Sequence, residues 1–185
     1  MSAANTAATG NPAVSLARYE SILAALQADG VRYVIAGGFA VNLHGFLRFT
    51  KDLDLLIDLA PANAARAMDV LAACGLKARV PVPLSDFADP EKRHDWAENR
   101  NMLVFQVWHP SDPFCTVDVF IRNPIDFEDL WQRSITANLG QTDCRIASIE
   151  DLIAMKTQAG RPQDLHDIEQ LRRIQQLQGG TTHEQ

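Results

Sequence analysis

The sequence predicts an α+β fold in which helices flank a mixed, mostly antiparallel sheet and a pair of helices closes the C-terminal end. Short apolar runs rich in β-branched residues, typical of buried strands, alternate with segments of helical periodicity. Proline and glycine stand at the boundaries between them. Two strand-like runs, 101–109 and 114–122, are joined by Pro-Ser-Asp-Pro, which favours an antiparallel pair. The chain has 185 residues, 46% of them hydrophobic, enough for one domain with a sizeable core.

The first predicted elements are a helix over 15–29 and a buried strand over 33–36. Apolar side chains recur at helical spacing in the helix, and a glycine ends it. The strand is apolar and β-branched, and it stops at Gly37-Gly38. We expect a short second helix to follow at once and to end at Gly45.

The turn between this strand and the second helix predicts a site for an anion. The N-terminus of a helix offers free backbone N–H groups and the positive end of the helix dipole. Gly37 and Gly38 carry no side chain, so a phosphate can approach the backbone closely. A glycine pair alone does not specify a ligand, and the interpretation depends on the residues around it.

The segment 52–58 carries the strongest chemical signal. In a strand, period-2 alternation places Asp52 and Asp54 on one face. Two carboxylates held so close repel each other, and such a pair shares a proton or binds a hard cation, for which Mg²⁺ is the natural choice. The alternative is a pair of solvated acids on an exposed face. The apolar neighbours Leu53 and 55–57 argue against it, because they predict a strand buried on both sides, where unpaired acids are costly.

A third carboxylate would complete such a metal site, and Asp118 is the best source. It is the one acid in the apolar run 115–121, and its neighbours Val117 and Val119 face the other way in a strand. The alternatives for Asp118 are a helix-capping partner or a salt bridge. Asp58 lies further along the first acidic strand, and we expect it to cap the loop that follows.

A crossover helix over 61–74 and a long connection over 81–99 lie between the two acidic strands. Proline near its start and a glycine at its end mark the helix. The connection has three prolines and many charges, and it is predicted to be a loop. In one interpretation, its aromatic and basic side chains stack on a base or contact an acceptor. In the other, the segment is a solvated loop with one anchoring aromatic. The side chains concerned are Arg93, His94, Trp96 and Arg100.

The C-terminal third is predicted to contain a short helix, a small hairpin and two closing helices. The helix covers 126–133, and the hairpin strands are 136–139 and 144–147. Ser148 and Asp151 form a capping pair at the start of the first closing helix. The second closing helix starts at a proline and turns four apolar residues inward; these are Leu165, Ile168, Leu171 and Ile174.

These residues carry a resemblance to a known superfamily. Gly37-Gly38, thirteen further residues, Asp52-Leu-Asp54 and a lone Asp118 on a later strand resemble the DNA polymerase β type nucleotidyltransferases. More narrowly, the chain resembles the minimal nucleotidyltransferases and the AbiEii-like toxin nucleotidyltransferases. The stretch 148–167 is similar to the helical segment that closes those small members, and the resemblance covers residues 15–176.

The resemblance implies a role for each of these residues. Asp52 and Asp54 would bind two Mg²⁺ ions, and Asp118 would support one of them and activate the attacking hydroxyl. Gly37 and Gly38 would hold the phosphates of the nucleotide.

Three cations are further candidates for the nucleotide-binding site. Arg48 and Lys51 stand just before the acid pair, where they could neutralise phosphate or simply offset the acidic cluster. Lys156 could reach the triphosphate from the closing helix, or it could be a lysine that extends along the surface to solvent. Arg161 and Asp164 are expected to form a structural pair at the turn between the closing helices.

The activity implied by the resemblance is transfer of a nucleoside monophosphate from a nucleoside triphosphate, such as ATP, to a hydroxyl, with release of pyrophosphate. No segment marks the acceptor, which could be a protein, a tRNA or a small molecule. Three alternatives remain open. The chain could be a toxin–antitoxin component that acts by binding a cognate toxin or antitoxin protein, a nucleotide-binding protein that has lost catalysis, or an antibiotic-modifying transferase.

Composition limits the remaining possibilities. A net charge of −6 and a pI of about 5.3 argue against a broad footprint on duplex DNA. Cys74, Cys115 and Cys144 are expected to be reduced core residues of a cytoplasmic protein with no membrane segment. We expect disordered tails over 1–14 and 177–185, a nucleotidyltransferase core over 15–147 and a helical closure of the same domain over 148–176.

Overall fold

The computed structural model describes residues 12–180 as helices packed against one seven-stranded sheet. The elements in chain order are α1 (Pro12–Ala28), β1 (Tyr33–Ile35), α2 (Gly37–Leu43), β2 (Asp52–Ile57), α3 (Pro61–Ala73), β3 (Lys77–Ala78), α4 (Pro90–Arg100), β4 (Val104–His109), β5 (Asp112–Phe120), α5 (Phe127–Arg133), β6 (Ile135–Leu139), β7 (Thr142–Ile146), α6 (Ile149–Ala159) and α7 (Pro162–Gly180).

The sheet is mixed, with the strand order β3-β4-β5-β2-β1-β7-β6. Antiparallel pairs join β1 to β2, β3 to β4, β4 to β5 and β6 to β7, whereas β2 pairs with β5, and β1 with β7, in parallel. The predicted α+β class is therefore confirmed. The central strand β1 leads into the glycine turn, and its neighbours β2 and β5 carry the acidic segments, so the sheet brings these features together.

The two faces of the central strands differ. Leu53 and Leu55 of β2 and Val117 and Val119 of β5 are completely or almost completely buried on one face. Helix α1 contacts α3 and β5, and its apolar side chains belong to the same core cluster as these four residues. The alternating residues, which include the three acids, lie on the opposite face. Period-2 patterning thus separates the core from the candidate site.

Residues 81–99 are not the loop that the sequence predicted. A 3₁₀ helix covers Leu84–Ala88, and α4 follows it directly. Asp89 caps α4, because its side chain accepts hydrogen bonds from the backbone N–H groups of Glu91 and Lys92, and Pro90 occupies the first turn. Proline here marks the start of a helix rather than a loop.

Of the four α4 side chains that were candidates for base or acceptor contact, Arg93 and Trp96 are buried, whereas His94 and Arg100 are exposed. Trp96 is only 3% exposed and stacks on Phe105 with 5.2 Å between the ring centroids. The Arg93 guanidinium donates hydrogen bonds to the backbone carbonyls of Phe87 and Leu59. Both residues therefore anchor α4 on the sheet, which supports the alternative that Trp96 is an anchoring aromatic rather than a contact for a base or an acceptor.

Three further expectations need correction. Helix α1 starts at Pro12 and α7 extends to Gly180, so 12–14 and 177–180 are helical, and the predicted tails are wrong there. Residues 1–11 and 181–185 lie outside the described residues. Leu165 is 67% exposed and does not turn inward, unlike Leu171.

Within residues 12–180, no helix has the length and apolar character needed to cross a membrane.

Candidate active site

The acid face of the sheet brings Asp52, Asp54 and Asp118 onto two neighbouring strands. In the parallel pairing of β2 with β5, Asp54 lies directly opposite Asp118, and Asp52 lies opposite Thr116. All three acids are partly buried. Because residues in register on parallel strands share a face, the structure places the three predicted carboxylates side by side.

Burial and mutual repulsion hold these carboxyl groups toward their protonated forms. Burial, together with repulsion from Asp118 and Asp52, raises the pKa of Asp54 to about 7. Burial also raises the pKa of Asp52 and of Asp118. A bound cation would remove the repulsion and favour three ionised carboxylates.

The donor set fits a hard divalent cation by its chemistry. Mg²⁺ prefers carboxylate oxygens, and this face offers three carboxylates with raised pKa values. No three His, Cys, Asp or Glu side chains between residues 12 and 180 are arranged as a ready-made metal cluster. Asp52, Asp54 and Asp118 are the residues that would hold the ion.

We expect the metal-free protein to lose stability as the pH rises. The pKa of Asp54 is raised from 3.8 to about 7 in the folded chain, so folding favours its protonated form. Its contribution is fully present below about pH 4 and is lost as the pH rises through about 7, with a slope of at most about 1.4 kcal/mol per pH unit. Thermal unfolding in EDTA between pH 4 and 8 measures this slope. Asp54→Asn should flatten it, and an unchanged slope in that variant would exclude Asp54 as the cause.

The glycine turn lies directly against the acid pair. Gly37 has a φ of +59°, which side chains rarely tolerate, and a Cβ atom at this position would lie 1.9 Å from Oδ2 of Asp54. The backbone N–H of Ala36 also donates to the carbonyl of Asp54. The predicted phosphate turn and the predicted metal-binding acid are thus neighbours in space.

The substitution Gly37→Ala should therefore damage the site severely. The new methyl group requires both a strained backbone and a displacement of the Asp54 carboxylate. We expect a loss of stability of about 1 to 3 kcal/mol and a loss of nucleotide binding, measured by chemical denaturation and by calorimetry. Gly179→Ala, where a Cβ meets no atom within 4 Å, is the matched control and should change neither quantity.

Arg48 packs over the second glycine. A Cβ on Gly38 would lie 2.7 Å from an Arg48 guanidinium nitrogen and 2.6 Å from Oγ1 of Thr50. Two guanidinium nitrogens of Arg48, Nε and one terminal nitrogen, each donate to the Asp167 carboxylate at 2.7 Å. Arg48, which was predicted to contact phosphate, therefore lies at the glycine turn and is already paired with Asp167 of α7.

Lys156 is buried and joins the same ion-pair network. Its Nζ lies 2.7 Å from Asp167 and 3.3 Å from Asp164, and its charge lowers the pKa of Asp54. The interpretation of Lys156 as an extended surface lysine is wrong, because only 8% of its side chain is exposed. Asp164 also accepts from the backbone N–H of Arg161, so the predicted pair at the interhelical turn forms through the main chain.

The network keeps its buried carboxylate ionised. Burial alone would raise the pKa of Asp167, but hydrogen bonds from Arg48 and Lys156 outweigh it and lower the pKa. Arg48, Lys156, Asp164 and Asp167 contribute two positive and two negative charges. The two cations therefore offer hydrogen-bond donors near the glycine turn without excess positive charge.

Lys51 directly precedes Asp52 in the chain. It is exposed, and its charge partly offsets the rise that burial causes in the pKa of Asp52 and of Asp118. Its backbone carbonyl accepts a hydrogen bond from the buried hydroxyl of Tyr19, which also contacts the carbonyl of Phe114. The predicted nucleotide-binding residues are thus divided between the glycine turn and the neighbourhood of Asp118.

The sequence, compared with models of known families, matches one of them. Residues 21–184 match the nucleotidyl transferase AbiEii toxin family of type IV toxin–antitoxin systems, which is well over half of the chain. The chain belongs to the AbiEii family. This membership assigns it to the nucleotidyltransferases and to toxin–antitoxin systems, and it confirms the predicted resemblance. No curated protein matches the AbiEii chain.

Solved structures similar to this AbiEii family member are nucleotidyltransferases. The lincosamide antibiotic adenylyltransferase LnuA, bound to lincomycin, is 17% identical, with a TM-score of 0.58 over 85% of this chain and 96% of that one. ANT(2″)-Ia, in complex with adenylyl-2″-tobramycin, is 13% identical, with a TM-score of 0.57 over 90% and 96%. An antigenic nucleotidyltransferase-like protein from Paracoccidioides brasiliensis is 16% identical, with a TM-score of 0.56 over 86% and 76%. At these identities the similarity shows the nucleotidyltransferase fold.

Two residues that the sequence analysis did not select adjoin the site of this AbiEii family member. Gln106 of β4 donates from Nε2 to Oδ1 of Asp118 at 2.8 Å. Asp167 of α7 forms ion pairs with Arg48 and Lys156. Pairing β4 with β5 in the correct register would have identified Gln106, whereas no local signal links Asp167 to Arg48.

Proposed function

We propose that this chain transfers a nucleoside monophosphate from a nucleoside triphosphate to a hydroxyl of an acceptor and releases pyrophosphate. The observation that carries the proposal is the register of Asp54 opposite Asp118, directly against the Gly37 turn. Three carboxylates beside a side-chain-free turn suit a metal-bound triphosphate better than any other ligand. Family membership supports nucleotidyl transfer as the reaction class.

The donor nucleotide would be held from two sides. Gly37 and Gly38 would receive the β- and γ-phosphates, with Arg48 and Lys156 as nearby hydrogen-bond donors. Lys51 would meet the nucleotide near Asp52. Asp52, Asp54 and Asp118 would hold Mg²⁺, and when bound, this ion neutralises phosphate charge and favours in-line displacement at the α-phosphorus.

Asp118 would act on the acceptor. Its raised pKa suits a group that accepts a proton from a hydroxyl, and the hydrogen bond from Gln106 fixes one of its oxygens. The acceptor oxygen forms a bond to the α-phosphorus, and the bond from that phosphorus to the bridging oxygen of the β-phosphate breaks. The acceptor proton passes to Asp118, and pyrophosphate leaves with the electron pair of the broken bond.

Calorimetric titration tests the donor half of the proposal. The protein is titrated with each of the four nucleoside triphosphates in Mg²⁺, and the titrations are repeated with Asp52→Asn and Asp54→Asn. We expect one nucleotide to bind and its binding to be lost in both variants. Asp143→Asn is the matched control, because Asp143 is an exposed acid on β7 of the same sheet. Absence of binding by any nucleotide would contradict the proposal.

A second candidate function is binding of a cognate protein partner. Toxin–antitoxin membership supports it, and so do Leu47 and Phe49, which are 83% and 80% exposed on the segment before β2. Growth arrest by the expressed chain separates the two functions. Toxicity that persists in the Asp52→Asn/Asp54→Asn double variant would favour partner binding, whereas its loss would favour transfer.

The acceptor of the transfer is a protein, a tRNA or a small molecule. LnuA and ANT(2″)-Ia, which share the fold, were solved with an antibiotic or its adenylyl derivative. Expression of this chain in a susceptible host tests an antibiotic acceptor. A raised inhibitory concentration for a lincosamide or an aminoglycoside, lost in Asp54→Asn, would identify that class.

A further inference from the structure

We propose that strands β3 and β4 form the acceptor subsite, and that it takes an acceptor with a phosphate group close to the hydroxyl that is modified. The inference rests on the proposed nucleotidyl transfer and names the acceptor side of the same site. It concerns four side chains next to Asp118, which we call the basic shelf: Lys77, Arg79, Gln106 and Trp108.

The register of the sheet places the basic shelf on the acid face. Gln106 pairs with Asp118 and Trp108 with Thr116 in the β4–β5 ladder. Lys77 pairs with Trp108 in the β3–β4 ladder, and the backbone N–H of Arg79 donates to the carbonyl of Gln106. The shelf is therefore a direct continuation of the surface that carries Asp118.

Side-chain contacts connect the shelf to the proposed general base. Gln106 donates to Asp118 and accepts at Oε1 from Nε of Arg79, at 3.1 Å. The Arg79 guanidinium carbon lies 4.9 Å from the ring centroid of Trp108. An arginine positioned over an indole ring keeps its charge and has fewer orientations open to it. The hydrogen bond to Gln106 uses one of the five N–H donors of Arg79, and Arg79 is exposed.

The position of the shelf fits the acceptor rather than the donor. The glycine turn follows β1, on one side of β2 and β5, whereas β4 and β3 lie on the other side. In an in-line displacement, the attacking hydroxyl and the leaving pyrophosphate lie at opposite ends of the α-phosphorus. With the donor phosphates at Gly37 and Gly38, the acceptor hydroxyl must approach from the side of β4.

The charge of the shelf selects the kind of acceptor. Strands β3 and β4 contain no acidic residue, although the chain as a whole has a net charge of −6. Arg79 is linked to Asp118 through Gln106, which accepts from Arg79 and donates to Asp118. Lys77 and Arg79 are exposed cations, and the planar guanidinium of Arg79 presents several N–H donors in one plane. Such a pair suits a phosphate group and disfavours a polycationic acceptor.

Binding measurements on the full chain test the inference. The donor site is first filled with Mg²⁺ and the non-hydrolysable α,β-methylene analogue of the nucleotide that binds. Ribose 5-phosphate, ribose and a 12-nucleotide single-stranded RNA with a free 3′-hydroxyl are then titrated. We expect a phosphate-bearing probe to bind and ribose to bind at least about tenfold more weakly.

Two variants assign the effect to the shelf. Arg79→Gln should lower the affinity for the phosphate-bearing probe by at least about tenfold. For the RNA, it should also reduce the dependence of the affinity on salt concentration. Arg66→Gln removes an exposed arginine from α3 and is the matched control, with less than about a twofold effect. Donor affinity in Arg79→Gln should stay within about twofold of the wild type, because the donor phosphates lie on the other side of Asp118.

Each outcome decides a separate point. RNA binding without ribose 5-phosphate binding identifies a nucleic-acid end as the phosphate source, and comparable binding of both identifies a phosphorylated small molecule. Measurable and equal binding of ribose and ribose 5-phosphate, an unchanged Arg79→Gln variant, or binding of neither phosphate probe overturns the inference. A wild-type protein that binds no nucleoside triphosphate contradicts the proposed function instead, so the two failures are distinguishable.

Discussion

Replacing Asp118 with Asn should reduce the rate of nucleotidyl transfer by a factor of about 10² to 10⁴. Asn has nearly the same shape but cannot accept a proton from the acceptor hydroxyl. Its amide can still pair with Gln106, whose side chain now donates to Asp118 at 2.8 Å, so the sheet should keep its geometry. We expect a loss in kcat that is much larger than the change in donor affinity, because Asp52 and Asp54 remain to hold the metal-bound nucleotide.

The measurement is incorporation of α-phosphate-labelled nucleotide into the acceptors of a cell extract, with donor affinity measured by calorimetry on the same preparations. Asp143→Asn is the control for loss of an acidic side chain on the same sheet, and it should retain full activity. Incorporation by Asp118→Asn within about tenfold of the wild type would show that another group takes the proton.

Strand periodicity explains why the acid face could be predicted from the sequence. Asp52 and Asp54 are two residues apart in a strand, so local geometry alone puts them on one face. Asp118 was selected because its neighbours are apolar, and Val117 and Val119 are indeed fully buried on the core face. These predictions depend on short-range patterns, which the fold preserves.

The acceptor side could not be predicted because it depends on an irregular strand register. The turn pairs His109 with Asp112, and an uninterrupted hairpin with that register would set Leu103 opposite Asp118. The irregularity between Trp108 and His109 shifts the ladder, so that Gln106 lies opposite Asp118 instead. A one-residue change of register turns a strand over, and no residue in this hairpin marks the shift.

The segment 81–99 shows a different limit. Its prolines and charges are typical of loops, but Asp89 and Pro90 form a helix start, and Trp96 with Phe87 supplies the buried contact. Helix α4 has a polar sequence, so its stability comes mainly from tertiary packing of two or three side chains. Local composition does not report such packing.

The ion-pair network of α6 and α7 should contribute strongly to stability, and Asp167→Asn tests this. Asp167 is completely buried, and its carboxylate binds both Arg48 and Lys156 at 2.7 Å. Removing its charge leaves Lys156 paired with Asp164, and it leaves the largely buried Arg48 with a hydrogen bond to the carbonyl of Phe49 in place of an ion pair. We expect the free energy of unfolding to fall by about 3 to 5 kcal/mol.

Chemical denaturation measures this loss, and a neighbouring acid on α7 provides the control. Glu169 pairs with Arg173 on the exposed side of the same helix, where both side chains are more than half exposed, so Glu169→Gln should cost less than about 1 kcal/mol.

The pH dependence of Asp167→Asn separates the loss of an ion pair from a general packing defect. The pKa of Asp167 is lowered from 3.8 in the folded chain, so its stabilisation is present above about pH 4 and is lost as the pH falls below that value. The difference in unfolding free energy between the wild type and Asp167→Asn should therefore shrink toward zero in acid. A difference that stays constant down to pH 3 would show that the variant disturbs packing instead. In that case the ion pair with Asp167 would not be the interaction that holds Arg48 at the glycine turn.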